Sequence, residues 1–214
     1  MMTTALLIRH GHVDAIGRRL VGRLPGVNLS TSGLSEVERL RRNLAVPLDA
    51  VYSSPLERSH QTAAPLAADR NLELVTLDAL TEVDFGDWTG LTFDELDRLP
   101  AWHLFNARRS IAPVPNGEPA AQVQARILGV LDQLAKRHAG GTFAVVSHAD
   151  VIRAAVLHYA AIPLDDFGRI QIDPASVTAV DLTATPHLLM VNNLDRLDST
   201  TISSRGASLA IVSR

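Results

Sequence analysis

Arg9, His10 and Gly11 form the most chemically suggestive segment of this sequence, because they directly follow the apolar run from Ala5 to Ile8. Such a run predicts a buried strand, and open α/β sheets bind their ligands at the carboxyl ends of strands. Arginine can hold phosphate oxygens through two N–H groups, and histidine is a usable nucleophile near neutral pH. The segment therefore predicts a site for a phosphate-like ligand.

Two other predicted strands lead into residues of the same kind. The run 50–53 is followed by Arg58 in the first turn of a predicted helix, and the run 143–147 is followed by His148. If these strands are parallel neighbours, both side chains and the Arg-His pair above meet at one sheet edge. Two guanidinium groups can hold a tetrahedral dianion, two imidazoles can face it, and helix N-termini can add N–H donors. This set predicts phosphoryl transfer that needs no metal ion.

The elements that must position these residues follow an α/β pattern, since apolar runs alternate with amphipathic segments. We expect a three-layer fold with a mostly parallel sheet and helices on both faces. The predicted strands are 5–8, 50–53, 72–77, 143–147, 177–182 and 188–192. Four helices are predicted. The first is capped by Ser30 or Thr31 and has Leu34, Val37, Leu40 and Leu44 on one face. The others run from Ser54-Pro55 to about Asp69, from Pro119 as first residue, and from about Asp150 to Ala160.

Length and composition fit one ordinary globular domain. The chain has 214 residues, 46% of them hydrophobic, and a formal net charge of -3. We expect a domain at 1–197, with a small excursion packed over the sheet at about 84–115, and a loose tail at 198–214. The absence of cysteine excludes disulfides, thiol nucleophiles and cysteine-ligated metals.

The charge and hydropathy patterns also bear on partners and location. The slightly acidic balance gives no reason to expect a nucleic acid or a membrane as partner. No stretch approaches the ~20 apolar residues that a membrane-spanning helix needs. Because the N-terminus also lacks a secretory signal pattern, we expect a cytoplasmic location. A homodimer stays open.

Five segments occur in a fixed order along the chain: LLIRHG, SSPLERSHQTA, LTEVDFGDWTGLTFDEL, PNGEP and VVSHADVIR. With these segments the sequence resembles the histidine phosphatase superfamily, also called the phosphoglycerate-mutase-like fold. The resemblance extends over about residues 5–193. It implies a phosphatase that acts on a small phosphorylated metabolite, with no cofactor and no metal.

The resemblance also implies a role for each site residue. His10 would be the nucleophile and become a phosphohistidine. Arg9, Arg58 and His148 would bind the phosphate and stabilise charge during transfer. Glu82 would donate a proton to the leaving group and later act as the base for water. The two arginines would lower the pKa of the nucleophile, which must be neutral to attack.

The chain departs from the family pattern beside its first motif. Val13 and Ile16 stand where these proteins usually have Thr and Asn, and His12 stands where they usually have Glu. We expect these changes to alter the mouth of the pocket, which His12 would line, and so the choice of substrate. Gly11 is expected to let the backbone approach the phosphate closely.

Three alternatives stay open. A phosphoglycerate mutase would carry a long basic insertion before Gly117-Glu118, whereas this segment is short, so a phosphatase is favoured. Residues 10–14 also read HxHxD, as in zinc hydrolases, but Ala15 stands where a further histidine is expected and the arginines would have no role. The third alternative is a binding module with phosphate affinity and no turnover.

Overall fold

The computed structural model describes residues 1–204, and these contain a six-stranded sheet. The strands are β1 (Thr4–Arg9), β2 (Ala50–Ser53), β3 (Leu74–Thr76), β4 (Thr142–Ser147), β5 (Val177–Asp181) and β6 (His187–Asn193). They lie side by side in the order β3-β2-β4-β1-β5-β6. β3, β2, β4 and β1 run parallel to one another, β5 is antiparallel to β1, and β6 is antiparallel to β5. The predicted α/β fold with a mostly parallel sheet is confirmed.

Seven α-helices accompany the sheet within the described residues. They are α1 (Thr31–Asn43), α2 (Glu57–Ala68), α3 (Phe93–Leu96), α4 (Pro100–Ala107), α5 (Ala120–Arg137), α6 (Ala149–Tyr159) and α7 (Ser199–Ser204). Short 3₁₀ helices lie at Asp78–Leu80, Gly86–Trp88 and Leu164–Arg169. Among residues 1–204, no helix has the length and apolarity to cross a membrane.

The central strand β1 is buried on both faces, which explains its continuous apolar sequence. Leu6 and Ile8 belong to a buried cluster formed with α1 and α2, whereas Ala5 and Leu7 belong to the cluster formed with α5 and α6. Alternate residues of a strand point to opposite faces, so the two clusters lie on the two sides of the sheet. The predicted helices therefore cover both faces.

Helix α1 buries the predicted stripe except at one position. Val37, Leu40 and Leu44 are buried, whereas Leu34 is 56% exposed and Gly33 is buried in its place. Gly33 packs directly on the loop after β1, since an added Cβ would lie 2.1 Å from the carbonyl oxygen of His12. Apolar periodicity could not predict this because a glycine in close backbone contact has no hydrophobic side chain to mark it.

Several element ends differ from the prediction by a few residues. Strand β3 is shorter than the predicted 72–77, and α2 begins at Glu57 rather than at Ser54-Pro55. Pro119 precedes α5 as its N-cap with φ -61° and ψ 145°, whereas we expected it as the first helical residue. The backbone geometry at each cap sets these ends, and the spacing of apolar residues along the sequence predicts it only weakly.

The end of the described chain is more ordered than predicted. We expected a loose tail from residue 198, but α7 forms there, and Asp198 Oδ1 accepts a hydrogen bond of 2.8 Å from the backbone N–H of Thr201. Ile202 is 3% exposed and joins the cluster under α1 and α2. The buried side chain of Ile202 and the cap at Asp198 thus stabilise a segment whose Ser/Thr composition did not indicate ordered structure. Residues 205–214 lie outside the described residues.

The segment 84–115, predicted as an excursion, contains α3, α4 and a cluster of aromatic side chains. Trp88 lies edge-on to Trp102 and Phe105, with both pairs of ring centroids 5.4 Å apart. These rings and Phe85 belong to the same buried cluster as the α5 and α6 side of the sheet. Aromatic pairs of this geometry stabilise a core beyond the area that they bury.

Candidate active site

The three predicted reactive strands do share one edge. β4 lies between β2 and β1, and Arg9 at the end of β1 is paired in register with Ser147 at the end of β4. His10 follows directly, and its backbone N–H donates to the carbonyl of Ser147 at 3.0 Å. His148 comes next after β4, and Arg58 lies in the first turn of α2, which follows β2. All four predicted residues therefore meet at the carboxyl edge of the sheet.

The hydrogen bonds of His10 fix which ring nitrogen carries a proton. Nδ1 lies 2.7 Å from the carbonyl oxygen of Gly11, which can only accept, so Nδ1 is protonated. Nε2 accepts from Nε–H of Arg58 at 3.2 Å and therefore carries a lone pair. The ring is 4% exposed and lies edge-on to that of His148, with centroids 5.2 Å apart. His10 thus presents an unprotonated nitrogen within the site.

The surroundings of His10 keep it neutral. Burial lowers the pKa of its imidazole well below 6.5, and the positive charges of Arg58 and Arg9 lower it further. The Gly11 carbonyl opposes this only in part. An imidazole must be neutral to attack an electrophile, so the site holds His10 in its reactive form at physiological pH.

Three buried nitrogens around His10 have no hydrogen-bond partner within residues 1–204: Nε of Arg9, Nη1 of Arg58 and Nδ1 of His148. Each guanidinium is also anchored, since Arg9 Nη1 donates to the carbonyl of Ile172 at 2.6 Å and Arg58 Nη2 to that of Gly22 at 2.8 Å. A buried N–H group without a partner costs free energy, which a ligand with several acceptor oxygens would recover. The anchored guanidiniums are thus arranged for an oxyanion.

His148 is fully buried and is held by two hydroxyl groups. Its Nε2 lies 2.8 Å from Ser54 Oγ and 3.3 Å from Ser59 Oγ. Burial, followed by the charge of Arg58, lowers the pKa of this ring well below 6.5. When Ser54 donates its hydroxyl proton to Nε2, the proton of the neutral ring is on Nδ1. That nitrogen then becomes a donor next to His10.

Glu82 lies in the same pocket, in the loop after the 3₁₀ helix Asp78–Leu80. Its Oε1 accepts from the backbone N–H of Val83 at 2.9 Å. Burial raises the pKa of this carboxyl to about 7, the negative charge of Asp150 adds to the rise, and Arg58 and Arg9 oppose it. Glu82 is therefore a carboxyl group that can hold a proton near neutral pH.

A pocket of about 180 Å³ lies above these residues, and His148 lies outside its lining, with its ring against that of His10. Arg9, His10, Arg58, Glu82 and Asp150 supply the polar groups of the pocket together with Arg19. The other side chains around it are apolar: Val13, Ile16, Leu20, Val21, Phe85, Phe93 and Ala149. The two apolar departures from the family pattern, Val13 and Ile16, thus do lie on the wall of the pocket.

Comparison with known proteins agrees with this geometry. A family model described as "Histidine phosphatase superfamily (branch 1)" matches residues 5–194. Phosphoserine phosphatase 1 of Hydrogenobacter thermophilus is 30% identical over 199 residues, which is 90% of this chain and 93% of that protein. The chain belongs to the histidine phosphatase superfamily.

Solved structures also resemble this histidine phosphatase. YhfR of Bacillus stearothermophilus has a TM-score of 0.82 and 28% identity, with 94% of this chain and 99% of that chain covered. A phosphoserine phosphatase of Entamoeba histolytica, in complex with 3-phosphoglyceric acid, has a TM-score of 0.80 and 25% identity over 90% of this chain and 98% of that one. Together with the family match, these relatives identify the protein as a phosphatase.

The structure corrects the expected part of His12. In this histidine phosphatase, His12 lies outside the set of residues around the pocket, and its Nδ1 lies 2.9 Å from Ser30 Oγ and 3.2 Å from Ser32 Oγ at the start of α1. The two histidines of the HxHxD pattern therefore contact different residues: His10 contacts Arg58, and His12 contacts Ser30. Within residues 1–204, no group of three or more histidine and carboxylate side chains could hold a metal ion.

The role of Gly11 also differs from the expectation. Its backbone N–H donates to Thr62 Oγ1 at 3.1 Å, and an added Cβ would lie 2.8 Å from the carbonyl oxygen of Gly33. The glycine is needed for close packing of the loop after β1 against α1. The packing of Gly11 on Gly33 thus holds the loop that carries His10.

A carboxylate that sequence reasoning left without a role, Asp150, holds the rim of the pocket of this histidine phosphatase. Its two oxygens accept from Arg109 Nη1 at 3.1 Å and Arg153 Nη1 at 2.7 Å. Burial opposes its ionisation, but the two arginines outweigh burial and lower its pKa. The guanidinium of Arg109 also lies over the rings of Phe105 and Phe167, at 4.3 and 3.9 Å from their centroids. The position of Asp150, two residues after His148, was the feature of the sequence that could have indicated its place in the site.

A second missed group holds the loop of Glu82. Arg23 Nε donates to the backbone carbonyl of Glu82 at 2.8 Å, and its Nη2 to Glu118 Oε2 at 3.0 Å. Glu118 in turn accepts from Arg126 Nε at 2.7 Å, and Arg126 donates to the carbonyl of Ala79 at 2.7 Å. Glu118 of the PNGEP segment thus links the loop of Glu82 to α5, through Arg23 on one side and Arg126 on the other. The segment itself was the feature of the sequence that could have indicated this role.

Proposed function

We propose that this phosphatase hydrolyses the phosphomonoester of a small metabolite through a phosphohistidine at His10, without a metal ion. The observation that supports this most directly is the unprotonated Nε2 of His10, placed beside the buried unpaired nitrogens of Arg9, Arg58 and His148. A nucleophile and a set of oxyanion donors in one pocket are the parts that phosphoryl transfer requires.

In the first step, Nε2 of His10 forms a bond to phosphorus as the bond from phosphorus to the ester oxygen breaks. The electron pair of that bond goes to the ester oxygen, which takes a proton from the carboxyl of Glu82 and leaves as an alcohol. Arg9, Arg58 and His148 donate hydrogen bonds to the phosphoryl oxygens throughout. A carboxyl whose pKa is about 7 is suited to this proton transfer near neutral pH.

In the second step, the oxygen of a water molecule attacks phosphorus and the nitrogen–phosphorus bond breaks. Its electron pair returns to Nε2 of His10, and the carboxylate of Glu82 takes a proton from the attacking water. Inorganic phosphate then leaves, and both residues regain their starting protonation states.

The proposal is tested by steady-state turnover of p-nitrophenyl phosphate and by trapping an acid-labile phosphoprotein. We expect turnover to survive a chelator, and His10→Ala to abolish both turnover and the trapped phosphoprotein. His60→Ala is the matched control, because His60 is exposed on α2, the helix that carries Arg58, and should leave both unchanged.

Other outcomes would favour the other functions. Activity that a chelator removes, zinc restores and His12→Ala abolishes would indicate a zinc hydrolase. Transfer of phosphate between positions of phosphoglycerate, faster than its release to water, would indicate a mutase. Phosphate binding with no turnover in the wild-type protein would indicate a binding module.

A further inference from the structure

The outer wall of the pocket is apolar, and this bears on the group that is attached to the phosphate. Beyond the phosphate-binding base, six side chains form what we term the apolar collar: Val13, Ile16, Leu20, Val21, Phe85 and Phe93. They come from the loop after β1, the segment after Glu82 and the first residue of α3. The collar thus surrounds the exit from the reacting centre on several sides.

The collar is partly shielded from solvent by the fold. Val13 is 1% exposed and Phe85 is 2% exposed, and the other four are half-buried. Phe93 is supported from behind by the ring of Trp102, with centroids 6.5 Å apart. A wall supported in this way is largely preformed and can remove apolar surface of a ligand from water.

The charges at the mouth do not favour a second anionic group. Beyond Arg9 and Arg58 at the base, the one cation among the lining residues is Arg19, and this residue is exposed. Exposed cations are screened by water and contribute little to binding. The two other charged lining residues, Glu82 and Asp150, are acids. Glu82 holds a proton near neutral pH and Asp150 is already paired with Arg109 and Arg153, so neither offers a positive charge to a carboxylate on the leaving group.

From the collar and these charges we infer that the preferred substrates are phosphomonoesters of uncharged apolar alcohols, such as aryl-methyl or medium-chain alkyl phosphates. Amino-acid and sugar-acid phosphates, which carry a carboxylate beside the ester, are disfavoured. The inference rests on the proposed phosphatase reaction at His10 and adds the class of the leaving group. The collar determines specificity and takes no part in the chemical step.

The test compares kcat/KM for benzyl phosphate, methyl phosphate, O-phosphoserine and 3-phosphoglycerate. All four release a primary alcohol, so differences report binding of the leaving group more than reactivity of the bond. We expect benzyl phosphate to exceed O-phosphoserine and 3-phosphoglycerate by about tenfold or more, because an apolar pocket discriminates on that scale. Equal or faster turnover of either carboxylate-bearing substrate would overturn the inference while leaving the proposed phosphatase reaction intact. Failure to hydrolyse any of the four by a protein that turns over p-nitrophenyl phosphate would overturn the inference alone, and failure on all five esters would overturn both.

Variants of the collar give an independent readout. Ile16→Asn places a polar group of similar size on the wall, and Phe93→Ala removes a ring. Each should lower the ratio of kcat/KM for benzyl over methyl phosphate by about tenfold. Leu104→Ala, at a half-exposed position of α4 outside the pocket, is the matched control and should leave the ratio unchanged. A ratio that neither collar variant changes, in proteins with wild-type circular dichroism, would contradict the inference.

Discussion

At the scale of single residues, the site separates the protonation states of its two central groups. Burial and two arginines lower the pKa of His10 well below 6.5, while burial and Asp150 raise the pKa of Glu82 to about 7. His10 is therefore neutral and Glu82 is protonated in the same pH range. Pairs of groups whose pKa values are pushed apart in this way are typical of acid–base sites.

A pH dependence follows from the pKa of Glu82. The value of kcat/KM for an alkyl phosphate should be level at mildly acidic pH and fall as pH rises through about 7, because Glu82 loses the proton that the leaving group needs. Glu82→Gln should remove this fall and lower kcat/KM by about 10²–10⁴-fold. Rates measured across a pH series would check both, and a profile that rises through neutrality would contradict the role.

Asp150→Asn tests the cause of the raised pKa. Removing this negative charge makes ionisation of Glu82 easier, so its pKa should drop and the fall of kcat/KM should move to lower pH. Asp132→Asn is the control, since Asp132 is exposed on α5 and pairs with Lys136. An unmoved profile in Asp150→Asn would assign the raised pKa of Glu82 to burial alone.

At the scale of elements, parallel neighbours β2, β4 and β1 bring the residues after them to one edge, and two glycines set how the loop after β1 meets α1. The Cβ positions of Gly11 and Gly33 would lie 2.8 and 2.1 Å from backbone oxygens of the opposing segment. Backbone cannot yield as a flexible side chain does, so this contact admits only glycine. The position of His10 therefore depends on α1 as well as on β1.

Gly33→Ala should destabilise the protein by about 1–3 kcal/mol, because the added methyl group has no space against His12. Turnover of the remaining folded protein should also fall, since the loop that carries His10 must shift. Gly129→Ala is the matched control on α5, where nothing lies within 4 Å, and it should stabilise by about 0.4–1 kcal/mol. Urea unfolding measures both changes; equal midpoints for the two variants would contradict the close contact.

At the scale of the whole molecule, the excursion and the sheet share one buried core. Trp88 and Trp102 are 3% and 7% exposed and lie in the same cluster as Ala5, Leu7 and the buried faces of α5 and α6. Phe85, in that cluster, also lines the pocket. Cooperative units follow shared buried contacts, so the excursion is expected to unfold together with the sheet.

The two tryptophans make this expectation measurable. Both lie in segment 84–115, so their fluorescence reports on the excursion, while far-UV circular dichroism reports on all helices and the sheet. The two signals should show one transition with the same midpoint in urea. An earlier transition in fluorescence alone would mean that the excursion is an independent unit.

Much of the fold and the reaction class was determined by the sequence itself. Buried strands read as apolar runs because both faces of β1 are covered, and the reactive residues directly follow those runs in the chain. Order and spacing along the chain were therefore enough to predict the α/β fold and the meeting of Arg9, His10, Arg58 and His148, whereas Glu82 was implied by the family resemblance. Residues that are adjacent in the chain remain adjacent in the folded protein, so the sequence alone can predict which residues follow each strand.

Only the tertiary structure decided which groups surround that set. The contacts of Asp150 with Arg109, and of Glu118 with Arg23, join residues that are 41 and 95 positions apart. The exposure of Leu34 and the close contact of Gly33 likewise depend on a backbone that arrives from another part of the chain. The hydrogen bond from Arg58 to Nε2 of His10, the effect of Asp150 on the pKa of Glu82 and the apolar collar all result from such long-range proximity, which no linear spacing contains.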